Sequence, residues 1–344
     1  MKTRKKKTTA QLKVSSSIVP NGDQHHSNGH AIVEPLFVLA LPRSFSSVVC
    51  SMLGQHPQMY ALPETQFFLT ETVGHWWKLA SRSQAPLTHG ALRAVAQLYF
   101  GEQTEATVNL ARGWLMRRSH FTTAYLLEEL AAKLSPSVLI DKSSIVVYRL
   151  ENLQRIYRMF PGARFLHLVR HPKGHGKSVM KYFRERRKSG PLPRAHWLQQ
   201  LASYPSAAAK MKKPQELDPQ RAWYALNVNI QEFLKTVPDN QKMLIRGEDL
   251  LSDPDNGLKE IAQWMGLRTD ADAIEQMKHP ERSPYASFGP VGARFGNDRF
   301  FLESPELRPE RAEPQSLEGP LSWRSDGYGL FPHVQQLAIQ FGYR

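Results

Sequence analysis

Four short apolar segments alternate with stretches of helical periodicity along this chain. The segments lie at residues 36–41, 138–142, 164–169 and 242–247, and helices are predicted at 46–54, at 90–134 in three pieces, and at 144–159, 173–187, 219–236 and 256–266. Apolar runs of this length are typical of strands buried on both faces of a parallel sheet. The alternation predicts an α/β fold, a doubly wound parallel sheet flanked by helices in a single domain. Such sheets bind ligands at the carboxyl ends of their strands.

The first apolar segment ends at a corner that is suited to anions. Arg43 follows the predicted strand, and Ser44, Ser46 and Ser47 come before the predicted apolar helix. A helix N-terminus binds anions because its unpaired N–H groups and its dipole both point at the ligand. The loop lacks the spacing of a Walker A motif and of a dinucleotide fingerprint. On this stretch alone, a serine-rich cap of a core helix remains the alternative.

The third apolar segment ends in a second group of polar residues. Arg170 follows this strand, Pro172 can start a helix, and Ser178 lies eight residues after Arg170. In a helix that begins at the proline, the serine lies about two turns beyond the arginine. The guanidinium fork and the hydroxyl can then contact one phosphate group.

Together these segments resemble the nucleotide motifs of sulfotransferases that use 3'-phosphoadenosine 5'-phosphosulfate (PAPS). Residues 42–47, Pro-Arg-Ser-Phe-Ser-Ser, resemble the 5'-phosphosulfate loop, whose common form is Pro-Arg/Lys-Ser/Thr-Gly-Ser/Thr-Ser/Thr, and the Arg170 and Ser178 pair resembles the 3'-phosphate motif. Residues 54–65, 140–143 and 244–250 are similar to further family elements, closest to the tyrosylprotein and bacterial polyketide-type branches. The resemblance implies a P-loop-like fold and transfer of a sulfuryl group to an acceptor hydroxyl.

The resemblance also assigns roles to individual residues. It implies that Glu64 is the general base, that Arg43 stabilises charge on the leaving group and that Lys142 contacts the sulfonate or the bridging oxygen. A carboxylate at a helix N-terminus and a structural lysine are the alternatives for Glu64 and Lys142. A late glycine-containing loop, residues 288–298, is similar in position to the family's cover of the 3'-phosphate, although an ordinary surface loop is the alternative. The residues expected to bind PAPS are Arg43, Ser44, Phe45, Ser46, Ser47, Arg170, Ser178 and Arg294. No metal is expected.

Two positions depart from the family pattern. Phe45 stands where the loop normally has glycine, which adopts positive φ freely. Gly247 stands where the tyrosylprotein branch has tyrosine, which argues against tyrosine-protein sulfation. We expect the Phe45 side chain to narrow the acceptor site rather than to serve the nucleotide.

Several other residues have two interpretations. His167, His171 and His175 recur every four residues, but His167 precedes the break at Pro172, so the three do not share one helix face and no metal site is expected. Cys50 lies within an apolar helix and is interpreted as a buried small hydrophobe. The aromatic pairs Phe67-Phe68 and Trp76-Trp77 can either line an apolar acceptor pocket or belong to the core.

The net charge of +14 suggests an anionic ligand. Residues 1–30 hold six Lys and Arg residues against Asp23, which gives +5, and are predicted to be a disordered basic tail before a sulfotransferase domain at 31–344. Basic residues after Arg170 suggest an anionic cofactor and an acidic acceptor or carrier, with a solvated basic face as the alternative. The resemblance implies an acceptor hydroxyl on a small molecule, a lipid or a carrier-tethered chain. No apolar run reaches the roughly 18–20 residues of a membrane span, so we expect a cytoplasmic protein.

Two alternatives to a sulfotransferase remain open on the sequence. One is a non-catalytic basic protein that binds a nucleotide or RNA, although no aromatic-basic RNA-binding module is present. The other is a P-loop-like kinase, which would need Mg²⁺ and ATP. Specific nucleic-acid binding is not expected, and the sequence does not predict an oligomeric state.

Overall fold

Five parallel strands form the sheet in the computed structural model, which describes residues 33–82, 86–188, 218–309 and 315–344. The sheet order is β2-β3-β1-β4-β5, and all four strand pairings are parallel. The strands are β1 (Leu36–Leu39), β2 (Met59–Ala61), β3 (Val138–Asp141), β4 (Arg164–Val169) and β5 (Lys242–Arg246). The four predicted strands are present, within two residues at their ends, and β2 was not predicted.

Helices cover both faces of this sheet. Those before β4 are α1 (Ser46–Leu53), α2 (Val73–Arg82), α3 (His89–Phe100), α4 (Glu105–Arg117), α5 (Thr123–Leu134) and α6 (Leu150–Met159). Those after it are α7 (Pro172–Lys188), α8 (Pro219–Leu234), α9 (Gly247–Ser252), α10 (Pro254–Trp264), α11 (Ala271–Met277), α12 (Arg299–Glu303) and α13 (Pro332–Gln340). The predicted helices are present, although the one predicted at 144–159 begins only at Leu150, and the helical region 90–134 does divide into three.

The residues of β1 explain why the sheet is covered on both sides. Phe37 and Leu39 belong to one hydrophobic cluster, whereas Leu36 and Val38 belong to another. Successive side chains of a strand point to opposite faces, so an unbroken apolar strand needs apolar partners on both. Helices α2–α6 and α8 pack in the first cluster, and α1, α10 and α11 pack in the second.

The strand order changes direction next to β1, which places the expected ligand crevice. The chain goes from β1 to β2 and β3 on one side and then to β4 and β5 on the other. Open α/β sheets bind ligands beyond the carboxyl ends of the strands at such a switch point. The structure confirms the predicted doubly wound α/β fold and directs attention to the residues after β1, β3 and β4.

The remaining expectations concern regions that are only partly described. The predicted tail at 1–30 lies outside the described residues, so the division into a tail and a domain stays a prediction. Residues 32–344 make one compact unit. In the parts of the chain that the structure describes, no helix is both long and apolar enough to span a membrane.

Candidate functional site

The loop between β1 and α1 has an unusual backbone. Arg43 and Phe45 both have positive φ, at 73° and 63°, and the Ser44 N–H donates to the Leu41 carbonyl oxygen at 3.2 Å. For residues with a side chain this left-handed conformation costs roughly 1–2 kcal/mol. Helix α1 then begins at Ser46 without a side-chain cap. A strained loop therefore presents an uncapped helix N-terminus at the strand end, which suits an anion.

Lys142 joins this loop to the end of β3. Its side chain is only 1% exposed, and its Nζ donates to Ser47 Oγ at 3.1 Å. The same Nζ forms an ion pair with Glu64 and lies 3.5 Å from Asn297 Oδ1. The buried ammonium thus lies between the serine of the loop and the carboxylate expected to be the base.

The backbone around Glu64 is tightly packed. The Glu64 N–H donates to the Gly296 carbonyl oxygen at 2.7 Å, and a Cβ on Gly90 would lie 2.0 Å from the Glu64 carbonyl oxygen. The carboxylate accepts from Gln66 Nε2 at 2.9 Å and is partly exposed. Its backbone is therefore fixed while one side of the carboxylate remains open to a reactant.

The buried carboxylate of Asp141 anchors the residues that follow Glu64. Asp141 is the last residue of β3, and burial raises its pKa to about 6 although Thr65 and Ser143 both donate to it. Ser143 Oγ also accepts the Gln66 N–H at 2.9 Å. This network fixes the chain on the carboxyl side of Glu64.

Arg43 and Arg170 bring the two predicted phosphate motifs together. Arg170 Nη1 donates to the Arg43 carbonyl oxygen at 2.7 Å, and Arg43 Nε donates to Ser178 Oγ at 3.2 Å. The indole N–H of Trp223 donates to the Arg170 carbonyl oxygen at 2.8 Å. The end of β4, the first loop and α7 therefore meet around two guanidinium groups, and the shared phosphate contact of Arg170 and Ser178 stays a prediction.

The Phe45 ring lies on the Arg170 side of the loop. The guanidinium carbon of Arg170 is 3.9 Å from the ring centroid, and a Cβ on Gly247 would lie 2.6 Å from Phe45 Cδ2. We expected the ring to narrow the acceptor site; the structure shows it against Arg170, and its effect on the acceptor stays a prediction. The positive φ of Phe45 turns the side chain toward the end of β4.

Two residues that sequence reasoning did not single out also reach the site. Asp298 forms an ion pair with Arg43, and its backbone N–H donates to Ser47 Oγ at 3.2 Å. Asn297 lies beside Lys142. Both belong to the late loop, residues 288–298, that the sequence indicated as a possible cover of the 3'-phosphate. The polar Asn-Asp pair after Gly296 was the signal in the sequence that could have identified them.

Arg294 lies on the same loop. The contacts recorded for the described residues do not join it to the other cations of the site. The guanidinium of Arg294 lies 5.2 Å from the Phe288 ring centroid, and its carbonyl oxygen accepts the Gly289 N–H. The loop contacts Glu64, Lys142 and Arg43 through residues 296–298 instead. A role for Arg294 at the nucleotide stays a prediction.

The three spaced histidines are structural in this arrangement. His175 Nε2 donates to the Pro42 carbonyl oxygen, 3.1 Å away, and burial lowers the pKa of His175 to about 3. His167 Nε2 lies 3.0 Å from Asn227 Oδ1, and His171 Nδ1 accepts the backbone N–H of Lys173 at 3.2 Å. Within the described ranges, no group of three or more His, Cys, Asp or Glu side chains could hold a metal ion.

Most of the apolar residues with two interpretations belong to the core, and Trp77 packs against it while partly buried. Phe67, Phe68 and Trp76 are completely buried, so they do not line an open acceptor pocket. Cys50 is buried as expected, and burial raises the pKa of its thiol to about 12.

The donor set of the site fits a polyanionic nucleotide. Two guanidinium groups, one ammonium, buried serine hydroxyls and a helix N-terminus converge within reach of one another. Each of these groups prefers phosphate or sulfonate oxygens. The partly exposed Glu64 carboxylate next to Lys142 adds a group that can accept a proton.

Comparisons with known proteins agree with this geometry. A model of the sulfotransferase family matches residues 35–271. The sulfotransferase domain from the curacin biosynthetic pathway shares the fold at a TM-score of 0.69 and 19% identity, over 91% of this chain and 99% of that chain. The sulfotransferase domain from the Synechococcus PCC 7002 olefin synthase gives 0.66 and 24%, over 92% of this chain and 98% of that chain. The search of curated proteins gave no significant match.

Proposed function

The chain belongs to the sulfotransferase family, and we propose that it transfers the sulfuryl group of PAPS to an acceptor hydroxyl. The observation that carries this proposal is the position of Lys142, whose buried Nζ joins Ser47 of the anion loop to the Glu64 carboxylate. A cation between an anion loop and a base is what sulfuryl transfer requires, because charge develops on one side while a proton leaves on the other.

When bound, PAPS supplies an activated sulfuryl group with a phosphate as leaving group. Arg43 and the amides at the start of α1 stabilise negative charge on the leaving side. Lys142 neutralises charge nearer the transferred group. By analogy with phosphoryl transfer, the acceptor and leaving oxygens would lie in line. Because the cations are already in place, they would stabilise the developing charge without reorganising.

Glu64 is the proposed general base. Its carboxylate accepts the proton of the acceptor hydroxyl, and its hydrogen bond from Gln66 and its ion pair with Lys142 hold it in place. Asp298 holds Arg43 through an ion pair at the edge of the loop. Arg170 and Ser178 bind the 3'-phosphate at the other end of the nucleotide.

The proposed acceptor is a hydroxyl on a carrier-tethered chain, with a small molecule or a lipid as the other outcomes of a transfer screen. The two similar structures come from a curacin biosynthetic pathway and an olefin synthase. In this chain, Lys177 and Lys181 are exposed on α7 near the site. The ion pair between Lys181 Nζ and Glu185 Oε1 is long, at 4.0 Å. Such exposed cations suit an acidic carrier surface.

Titration calorimetry with adenosine 3',5'-bisphosphate tests the nucleotide assignment. We expect this ligand to bind more tightly than an RNA oligomer at moderate salt or ATP with Mg²⁺. Arg170→Ala should weaken binding by about 10- to 100-fold, since hydrogen bonds to charged groups are worth roughly 1.5–3 kcal/mol. Ser178→Ala should weaken it less.

Arg164 provides a matched control. It is the first residue of β4, whereas Arg170 follows the last residue of the same strand. Arg164→Ala should leave bisphosphate affinity unchanged. Equal affinity of Arg170→Ala and the unmodified protein would remove the 3'-phosphate assignment, and tighter binding of RNA or ATP would favour one of the alternative functions. Transfer of label from PAPS to the acceptors named above tests the reaction itself.

A further inference from the structure

The aromatic ring of Phe45 covers the guanidinium of Arg170. The guanidinium carbon lies 3.9 Å from the ring centroid, which is shorter than the separation in the other arginine–aromatic contacts of this region, such as Arg43 with Phe300 at 4.6 Å. A cation over an aromatic face is attracted by the ring quadrupole within about 6 Å. Phe45 and Arg170 are therefore in direct, favourable contact.

Two hydrogen bonds hold the backbone of Arg170 and one edge of its fork. Trp223 donates to its carbonyl oxygen, and Nη1 donates to the Arg43 carbonyl oxygen. The Phe45 ring adds a contact over the guanidinium itself. Because a planar guanidinium stacks on an aromatic face, this contact favours one orientation of the group.

Gly247 leaves the space that the ring occupies. A Cβ at this position would lie 2.6 Å from Phe45 Cδ2 and 3.3 Å from the Val169 carbonyl oxygen. Any larger side chain at 247 must therefore push the ring away or move the end of β4. The glycine, the phenylalanine and the arginine form one packed unit.

We propose that Phe45 is a positioning residue, which orients the Arg170 guanidinium for the 3'-phosphate and can do so because Gly247 is small. This inference rests on the proposed function, since it assumes that Arg170 binds that phosphate. In this proposal the Phe45 ring raises the affinity for nucleotides that carry a 3'-phosphate. It does not affect binding of the 5'-phosphate.

Calorimetry with two nucleotides tests the proposal. Adenosine 3',5'-bisphosphate and adenosine 5'-monophosphate differ only in the 3'-phosphate. Phe45→Leu should weaken bisphosphate binding by about 3- to 10-fold, the range that a partly desolvated cation–π contact provides. It should change monophosphate binding by less than about twofold, since in this proposal the ring acts only through Arg170. A merely structural loss of the loop would weaken both.

A double-mutant cycle separates positioning from packing. In the Arg170→Ala background, Phe45→Leu should cost no further bisphosphate affinity, because the group on which it acts is gone. Gly247→Ala, which leaves Phe45 itself unchanged, should reproduce the selective loss by displacing the ring. Thermal unfolding of each variant checks that it is folded.

Trp264→Leu is the matched control. The guanidinium of Arg164 lies 5.7 Å from the Trp264 ring, at the opposite end of β4, and loss of that contact should change neither affinity. If the unmodified protein binds the bisphosphate and Phe45→Leu has no effect, weakens both nucleotides equally, or adds fully to Arg170→Ala, this inference is wrong and the proposed function stands. If the unmodified protein does not bind the bisphosphate, both are wrong.

Discussion

Lys142 shows how a single residue can connect the two halves of a reaction site. Its Nζ contacts Ser47 on one side and Glu64 on the other, and its side chain is almost completely removed from water. Electrostatic interactions are stronger in such a place than at the surface, so a small displacement of the ammonium would alter both the anion loop and the base. Lys142 directly follows the last residue of β3, so the end of that strand determines where this charge lies.

Replacement of Glu64 by glutamine tests the base directly. Glu64→Gln keeps the size of the side chain but removes its ability to take a proton, so turnover should fall by roughly 10²-fold or more. Bisphosphate affinity should remain within a few-fold, because the proposed nucleotide contacts come from other residues. Labelled sulfate transfer and calorimetry on the same preparation measure the two quantities.

Glu71→Gln is the control for this change, since Glu71 is an exposed carboxylate seven residues later. It should keep full turnover. Near-normal turnover of Glu64→Gln would exclude Glu64 as the base, and a large loss of nucleotide affinity in that variant would give the residue a binding role instead.

At the scale of helices and strands, the sequence predicted those parts of the site that depend on local patterns. The positions of Arg43 and Arg170 followed from apolar runs that end in a charged residue, and both strands are present. Strand β2 has only three residues, too few to give a periodic signal. The contact between Arg43 and Asp298 joins residues 255 positions apart, and no local pattern contains that information.

The contact of Phe45 with Arg170 was not predicted from the sequence for a related reason. A sequence shows that a phenylalanine replaces glycine, but the sign of φ decides on which side of the loop the ring lies. With φ at 63°, the ring turns to Arg170 and fills the space next to Gly247. That space depends on β5 and α9, which are remote in sequence.

Helix α3 approaches the Glu64 backbone at Gly90, and this contact predicts that the helix holds Glu64 in place. A Cβ on Gly90 would lie 2.0 Å from the Glu64 carbonyl oxygen, a distance that requires the helix or the Glu64 segment to move. Gly90→Ala should therefore lower turnover at least tenfold and destabilise the protein by roughly 1–3 kcal/mol, as overpacking does. Transfer assays and denaturant unfolding measure these effects.

Gly113→Ala is the matched control, because Gly113 also lies in a helix but a Cβ there would meet only Arg117 Nη1, at 3.4 Å. Alanine in an open helix position is favoured over glycine by about 0.5–1 kcal/mol, so this variant should be slightly more stable and fully active. Unchanged activity in Gly90→Ala would show that α3 does not fix Glu64.

For the whole molecule, buried histidines create a dependence of stability on pH. Burial lowers the pKa of His167 and His171 to about 4 and that of His175 to about 3, from 6.5. The unfolded chain therefore binds more protons than the folded protein between roughly pH 4 and 6.5, and folding stability falls as the pH is lowered through that range. Asp141 acts in the opposite direction, since its pKa is raised to about 6 and its protonation below that pH favours the folded state.

The three histidines together outweigh Asp141, so the melting temperature should be highest above about pH 6.5 and should fall steeply by pH 5, where the positive net charge also grows. His167→Gln removes one titrating group while keeping a donor for Asn227, and it should flatten this fall. Each unit of pKa shift corresponds to about 1.4 kcal/mol, so the change in slope is measurable by calorimetric melting at pH 7.5, 6 and 5. His120→Gln, at an exposed position, should keep the slope of the unmodified protein. A melting temperature that stays constant from pH 7.5 to 5 would mean that these histidines do not remain neutral in the folded core.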